Sequence, residues 1–273
     1  MPLATPDFEF LQHLVAKRSG NVIAPRQQQM VEQRLQKVLV STGLDDVNTL
    51  MTELKGTRGH TLQDRVAEAI TVNETSFFRD AHLFQAMRTY FIPEAMQRNA
   101  ATRTIRIWCA AGSSGQEPYS MAMILRDHFP QLDQWNVDIL VTDLSEEMLE
   151  RSRNGIYSQL EVNRGLPAKD LVRFFDRKGS RWQVKSELRS MLRHQRLNLI
   201  DPFPPISAVD IVLIRNVLIY FDQPTRQSIL SRIGKVLTPD GHLFIGSAET
   251  MIGMNLPYER KVIDGTVCYQ TQR

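Results

Sequence analysis

Hydrophobic positions recur at helical spacing through the N-terminal part of the chain. Leu11 and Leu14 belong to one such group, and Val31 and Leu35 belong to a second. Apolar residues three and four positions apart line one face of a helix. Breaks in the pattern, which predict several short helices, fall at Gly20, at 41–43 and at 56–59. We therefore predict a small all-α domain over 1–80, followed by a linking helix over 81–100.

The pattern changes near residue 104, where short apolar strands begin to alternate with helices. The predicted elements are a strand over 105–108, a helix from 118, a strand over 137–141, a helix over 146–154, a strand over 209–214, a helix over 224–237 and a strand over 242–245. Such alternation predicts an α/β fold, a mostly parallel sheet with helices on both faces. We assign it to a domain over 101–273.

Two segments depart from this alternation. Residues around Gly179 and Trp182 predict a small antiparallel hairpin, an inserted β-subdomain at about 172–190. The segments 258–263 and 266–269 predict a strand, a turn and a strand at the C-terminus. A C-terminal antiparallel hairpin on a mostly parallel sheet resembles the Rossmann-like fold of class I methyltransferases.

Composition limits the classes of function that fit. Hydrophobic residues make up 42% of the chain and charged residues 23%, which suits a globular protein with a large core. A net charge of +3 is too mild for a dedicated nucleic-acid binder and fits an acidic protein partner about as well. Cys109 and Cys268 have no metal-ligand spacing, so no disulfide framework and no metal site are predicted. Without a leader pattern or a long apolar run, we expect a cytoplasmic protein with no membrane insertion.

The loop from Cys109 to Pro118 follows a strand and opens a helix. Its small residues Gly112 to Gly115 allow a ligand to approach the backbone at a helix N-terminus, or they simply make a tight turn. No Lys follows in the position of a nucleotide-hydrolysing phosphate loop, which disfavours ATP hydrolysis. Asp143 ends the second strand, where a carboxylate either accepts both ribose hydroxyls of an adenosine or caps the helix near Glu146.

A third polar segment, Asn73 to Arg79, lies before the sheet domain. Taken alone it is a helix cap with a small Phe patch, but it is very similar to the Asn-x-Thr-x-Phe-Phe-Arg motif of chemotaxis receptor methyltransferases, the CheR family. Other segments that resemble motifs of this family, in the same order, are the loop through Glu117 to Ser120, Thr142-Asp143, Asn198-Leu199 and 215–222. Together they span nearly the whole chain.

The resemblance implies S-adenosylmethionine as cofactor and S-adenosylhomocysteine as product. The residues that it implies around the cofactor are Asn73, Thr75 and Arg79 at the methionine end, Gly112 in the loop, Glu117 near the amino group, Asp143 on the ribose, Asn198 and Leu199 near the adenine, and Arg215 and Asn216 at a strand end. This chain departs from the usual loop at Gly112 and at Gln116, which puts Gln116 in doubt as a contact.

The reaction implied by the resemblance is esterification of glutamate side chains on chemoreceptors. A glutamate carboxylate is already ionised at neutral pH, so no general base is required. We assign catalytic roles to Arg79, which holds the cofactor carboxylate or the other oxygen of the substrate, and to Tyr220, which orients the reacting glutamate. The alternative for Tyr220 is a packed aromatic at a helix start.

The receptor's cytoplasmic helical bundle is the expected partner of a monomeric enzyme. In the helix from about residue 27 to 40, Arg34 and Lys37 are predicted to face solvent, with Arg26 at its start. These three cations form either a solvated face or a docking site for the acidic flank of the receptor. The inserted hairpin is similar to a family subdomain that binds a receptor C-terminal peptide in some members, but its short turn favours a member that does not need one.

Two other functions remain open at this point. One is a methyltransferase for a small carboxylate, which the helical domain and the hairpin disfavour. The other is a non-catalytic adaptor that binds S-adenosylmethionine, which the intact polar set around Asn73, Glu117 and Asp143 disfavours. Nucleic-acid methylation is weaker still, because Asn216-Val217 stands where an amine-methylating motif would lie.

Overall fold

The computed structural model describes residues 3–56 and 59–272 of the chain. Its N-terminal part consists of α1 (Thr5–Ser19), a 3-10 turn (Pro25–Gln27), α2 (Gln28–Thr42), α3 (Val47–Lys55) and α4 (His60–Ile70). Their apolar faces form a separate core that includes Leu11, Leu35 and Leu54. The helical prediction therefore holds. Of the predicted break at 56–59, residues 57 and 58 lie outside the described residues.

The predicted linking helix is present but not uniform. It is built from α5 (Ala81–Ala86), a π-helical turn (Met87–Phe91) and α6 (Ile92–Arg98). Pro93 lies at the start of α6. Proline has no backbone N–H and its ring clashes with the carbonyl group four residues earlier, so a regular α-helix cannot run through it. The wider π turn accommodates the proline and lets the helix continue.

The central sheet has seven strands, which are β1 (Thr104–Ala110), β2 (Asn136–Asp143), β6 (Leu192–Arg196), β7 (Val209–Ile214), β8 (Leu237–Ile245), β9 (Tyr258–Ile263) and β10 (Thr266–Thr271). Their order across the sheet is β6-β2-β1-β7-β8-β10-β9. All neighbouring pairs are parallel except those made by β10 with β8 and β9. The predicted mostly parallel sheet with an antiparallel C-terminal hairpin is confirmed.

Both faces of this sheet are buried. Along β1, Ile107 and Cys109 belong to one hydrophobic cluster, whereas Trp108 and Ala110 belong to the other. The helices that connect the strands are α7 (Gln116–His128), a 3-10 turn (Pro130–Gln134), α8 (Glu146–Asn154), a 3-10 turn (Leu218–Tyr220) and α12 (Gln223–Val236). A strand buried on two faces has no polar side, which explains the continuous apolar runs in the sequence.

A second, small sheet lies between α8 and β6. Its strands are β3 (Ile156–Ser158), β4 (Phe175–Lys178) and β5 (Arg181–Val184), in the order β3-β5-β4, and the short helices α9 (Gln159–Asn163), α10 (Ala168–Phe174) and α11 (Ser186–Arg189) accompany them. The predicted hairpin corresponds to β4 and β5. The sequence patterns did not predict β3 or β6, because β3 is too short for an alternation and β6 is an edge strand of mostly polar residues. No helix in the described ranges is long and apolar enough to span a bilayer.

Candidate functional site

A cavity of about 860 Å³ opens at the carboxyl ends of β1, β2 and β7. This is where open α/β sheets bind their ligands. All the residues to which the sequence assigns cofactor contacts line it, namely Asn73, Thr75, Arg79, Gly112, Glu117, Asp143, Asn198, Leu199, Arg215 and Asn216, and Tyr220 lines it as well. The fold thus brings together segments that are far apart in the chain.

The loop after β1 forms one wall and has an unusual backbone. Ala111 and Ser113 adopt left-handed conformations, with φ of 62° and 49°, and Gly115 has φ of 99°. A Cβ on Gly112 would lie 2.6 Å from a methyl group of Val141, so the loop can pass this close to β2 only with glycine there. The loop keeps this path only because other segments hold it, since left-handed residues other than glycine are strained.

Ser113, which the sequence did not single out, connects three parts of the site. Its backbone N–H donates to Asp143 Oδ2 over 2.8 Å, and its hydroxyl donates to the carbonyl oxygen of Asn73 over 2.8 Å. The loop is therefore joined to the end of β2 and to the segment that precedes α5. Nothing in the residue type marks Ser113 for this role, because both partners come close only in the folded chain.

Asp143 lies at the base of the cavity and is almost fully buried. Burial raises the pKa of its carboxyl to about 6, although the backbone N–H groups of Ser145 and Ser113 donate to it and oppose that rise. The alternative role as helix cap belongs to another residue, because the Ser145 side chain accepts from Met148 N at the start of α8. Asp143 is therefore free of the capping role and available to a ligand in the cavity.

A buried ion-pair network lies behind the cavity. The Arg215 side chain is 2% exposed and pairs with Asp80 and, over 2.5 Å, with Glu117. It also donates to the carbonyl oxygen of Arg79 over 3.0 Å. Burial alone would lower the pKa of Arg215, but the two carboxylates outweigh burial and raise it. Arg215 thus fixes the position of Glu117, and Asp80 is a member of the site that the sequence motifs did not include.

Arg79 and Tyr220 line the same cavity. Arg79 is partly exposed and donates to the carbonyl oxygen of Glu74 over 3.3 Å. Burial raises the pKa of Tyr220, and the positive charge of Arg79 partly offsets the rise, so the two groups are within electrostatic reach. The proton of the Tyr220 hydroxyl is therefore retained at neutral pH and remains available for donation.

Glu249 holds the loop that carries Asn216 and Tyr220. Its carboxylate accepts from the backbone N–H groups of Asn216 over 2.9 Å and of Ile219 over 3.2 Å. It accepts a third backbone N–H from Gly246 over 2.5 Å. Asn216 adopts a left-handed conformation with φ of 59°. Sequence reasoning missed Glu249, which follows β8 and influences the site only by binding the backbone of this loop.

The end of α1 closes one side of the cavity, next to Asn198. Asn198 donates its side-chain amide to the carbonyl oxygen of Arg18 over 2.8 Å, and Ser19 and Asn21 line the cavity. The backbone N–H of Val22 donates to the carbonyl oxygen of Tyr220 over 2.8 Å. Part of the cavity wall therefore comes from the end of α1, a contribution for which the sequence offered no indication.

The three predicted docking cations differ in their environments. Lys37 and Arg26 are exposed. The prediction that Arg34 faces solvent was wrong, because it is half-buried and donates to the carbonyl oxygens of Ala69, over 2.9 Å, and of Thr71. Carbonyl groups at a helix C-terminus lack intrahelical partners. Arg34 satisfies two of them at the end of α4, just before the segment that lines the cavity.

Comparisons with known sequences agree on one family. Residues 73–266 match the family described as CheR methyltransferase, SAM binding domain. The chemotaxis protein methyltransferase 1 of Pseudomonas aeruginosa is 38% identical over 262 residues, which cover 94% of this chain and 94% of that protein. The chemotaxis protein methyltransferase Cher2 of Pseudomonas putida is 36% identical over 97% of this chain and 98% of that protein. Among solved structures, the glycopeptide N-methyltransferase MtfA complexed with S-adenosyl-L-homocysteine is 16% identical, with a TM-score of 0.35 over 64% of this chain and 57% of that one.

Proposed function

Because the chain belongs to the CheR methyltransferase family, we propose that it forms methyl esters on glutamate side chains of chemoreceptors. It is a chemotaxis methyltransferase that uses S-adenosylmethionine. The finer assignment, to receptor glutamates, rests above all on one observation. The residues predicted to bind the cofactor line one cavity together with the partly exposed Arg79 and Tyr220, and this cavity shares lining residues with a groove that suits a protein acceptor.

The residues in the cavity fit the cofactor. Asp143 supplies a buried carboxylate for the ribose hydroxyls, and the loop at Gly112 leaves room for close approach to the backbone. Glu117, held by Arg215, supplies a negative charge for the amino group, and Asn73 and Thr75 line the same end. When bound there, S-adenosylmethionine supplies an electrophilic methyl group on a positively charged sulfur.

The acceptor chemistry needs positioning rather than proton transfer. A carboxylate with an ordinary pKa near 4.3 is already the nucleophile at neutral pH. The transition state disperses charge, because an anion and a cation become neutral, so strong binding of the attacking oxygen would favour the ground state. Arg79 would hold the cofactor carboxylate or the second substrate oxygen, and the Tyr220 hydroxyl would orient the reacting carboxylate.

A groove of about 2000 Å³ provides the surface for a protein acceptor. It shares Val72, Asn73 and Glu74 with the cofactor cavity and extends along α2 to Lys37. A receptor segment in this groove would therefore be continuous with the site of methyl transfer. A groove of this extent is larger than a small carboxylate requires. The exposed cation of Lys37 suits the acidic flank of a helical bundle.

The chemistry of the product tests the proposal. The protein is incubated with radiolabelled S-adenosylmethionine and the cytoplasmic fragment of a chemoreceptor, with Arg79→Ala as the control enzyme. Label released from the receptor as methanol by mild base identifies a carboxyl ester, whereas an N-methyl group resists base. Base-stable label would contradict the glutamate assignment, and cofactor binding without label transfer would favour an adaptor.

A further inference from the structure

Tyr157 joins the small inserted sheet to the cofactor loop. It lies on β3, its side chain is fully buried, and its hydroxyl donates to the carbonyl oxygen of Ser114 over 2.6 Å. Ser114 lies between Ser113, which touches Asp143 and Asn73, and Gly115, which opens α7. Burial raises the pKa of Tyr157 well above its usual value, so the hydroxyl stays protonated and remains a donor.

The ring of Tyr157 supports a second cofactor segment. It packs edge-on against Phe77, with ring centroids 5.1 Å apart, and Phe77 in turn packs against Phe175 of β4 at 5.7 Å. Phe77 is fully buried and lies between Thr75 and Arg79, both of which line the cavity. The aromatic group Phe77, Tyr157 and Phe175 therefore connects the small sheet to the segment before α5.

A backbone contact near Gly165 strengthens this connection. Gly165 follows α9 in the same insertion and has φ of 90°. A Cβ at this position would overlap the carbonyl oxygen of Phe77, so the insertion approaches the Phe77 backbone as closely as glycine permits. Two independent contacts, one through a ring and one through the backbone, thus hold the same residue.

We propose that Tyr157 is a positioning residue for the cofactor, and that the small sheet holds the loop 111–115 in a fixed position relative to the segment 73–79. Both segments line one cavity, but their strained residues, Phe78 and Ser113 among them, need outside support to keep their conformations. Tyr157 supplies that support with its hydroxyl on one segment and its ring on the other. This role adds a function to a subdomain that otherwise lies apart from the site of chemistry.

The test compares Tyr157→Phe with Tyr258→Phe. Each hydroxyl donates to a backbone carbonyl oxygen, over 2.6 Å from Tyr157 and over 2.8 Å from Tyr258, but the acceptor of Tyr258 is Leu230 in α12. Neither Tyr258 nor Leu230 lines the cavity. Calorimetric titration with S-adenosylhomocysteine should show about fivefold weaker binding for Tyr157→Phe and little change for Tyr258→Phe.

Steady-state kinetics supply a readout that a merely structural role would not move. Tyr157→Phe should raise KM for S-adenosylmethionine by a similar factor while kcat and KM for the receptor stay near the wild-type values. Unchanged binding of S-adenosylhomocysteine by Tyr157→Phe, or an equal loss in Tyr258→Phe, would overturn the inference. The titration involves no acceptor, so its outcome is independent of whether the glutamate assignment is correct.

Discussion

At the scale of single residues, left-handed backbone conformations concentrate around the cavity. Among the described residues other than glycine, those with positive φ are Phe78, Asp80, Arg103, Ala111, Ser113, Asn216 and Asp264. All but Arg103 and Asp264 belong to the segments that form the cofactor site. Each such residue costs about 1 kcal/mol or more. The fold therefore places backbone strain where the site needs its backbone close to a ligand.

The raised pKa of the buried Asp143 carboxyl predicts that stability and cofactor affinity depend on pH. Burial raises its pKa to about 6, so it contributes stability at low pH that is lost as the pH rises towards that value. The ionised carboxylate is the stronger acceptor for ribose hydroxyls. If only the ionised form binds, affinity for S-adenosylhomocysteine should increase about tenfold between about pH 5 and about pH 7, as measured by calorimetry.

Asp143→Asn is the control for this pH dependence. An amide does not titrate, so the variant should bind S-adenosylhomocysteine more weakly and with an affinity that no longer changes over the same pH range. A wild-type slope in Asp143→Asn would assign the titration to another group.

A second prediction at this scale concerns the contribution of the Tyr220 hydroxyl to turnover. If it orients the reacting carboxylate, Tyr220→Phe should lower kcat by about tenfold, the size of a lost positioning hydrogen bond in catalysis. Affinity for S-adenosylhomocysteine should stay unchanged, because the ring and the loop held by Glu249 remain in place. If turnover and receptor affinity both stay at wild-type values, Tyr220 is a packing residue only.

At the scale of secondary-structure elements, the two cations of α2, Arg34 and Lys37, have different environments. Arg34 and Lys37 both line the groove, but Arg34 is half-buried and satisfies carbonyl groups at the end of α4, whereas Lys37 is exposed. Charge reversal of Arg34 would break the cap on α4 as well as change the surface, so its effect on receptor binding would have two causes. Lys37 is the better position at which to test docking.

Lys37→Glu should weaken receptor binding by a few-fold, with a larger effect at low salt, because exposed charges are screened as ionic strength rises. The measurement is KM for the receptor fragment at two salt concentrations, and kcat should change little. Lys235→Glu is the matched control, since it makes the same charge change on the exposed surface of α12, outside the residues that line the groove. Equal effects of the two variants, or none from Lys37→Glu, would contradict docking on α2.

At the scale of the whole molecule, the cofactor site depends on how α1 packs against the sheet domain. Gly20 caps α1 with φ of 76°, and a Cβ there would lie 2.5 Å from Ile200 and 3.1 Å from Phe221. Gly43 caps α2 with φ of 70°, but a Cβ there would meet nothing within 4 Å. The two glycines have the same local conformation and differ in the contacts that surround them.

Gly43→Ala should destabilise the protein by about 1 kcal/mol, because its backbone is left-handed. Gly20→Ala should cost more than this, because the new Cβ also overlaps Ile200. Only Gly20→Ala should also weaken S-adenosylhomocysteine binding, by roughly fivefold, since it pushes Ser19 and Asn21 away from the cavity that they line. Thermal unfolding and calorimetry of both variants check the prediction. Equal affinities in Gly20→Ala and Gly43→Ala would show that the packing of α1 does not matter for the cofactor.

The sequence by itself predicted most of the elements in their order, and its motifs predicted many of the residues that line the cavity. Periodic apolar positions report which face of a segment is buried, which is why α8 is found at its predicted bounds and the sheet has its predicted antiparallel end. Motif residues such as Asp143 and Arg215 lie at the carboxyl ends of strands, and parallel topology brings those ends to one edge. The assigned roles within the cavity stay predictions.

Only the tertiary structure decided which groups pair across the fold. Asn198 meets Arg18 over a separation of 180 residues, and Arg215 meets Asp80 over 135. The burial of Arg34 and the contacts of Tyr157 were decided in the same way. The physical reason is that a periodic pattern records how much water a side chain meets, and many partners can exclude water equally well. Which partner does so depends on packing between elements that are distant in the chain.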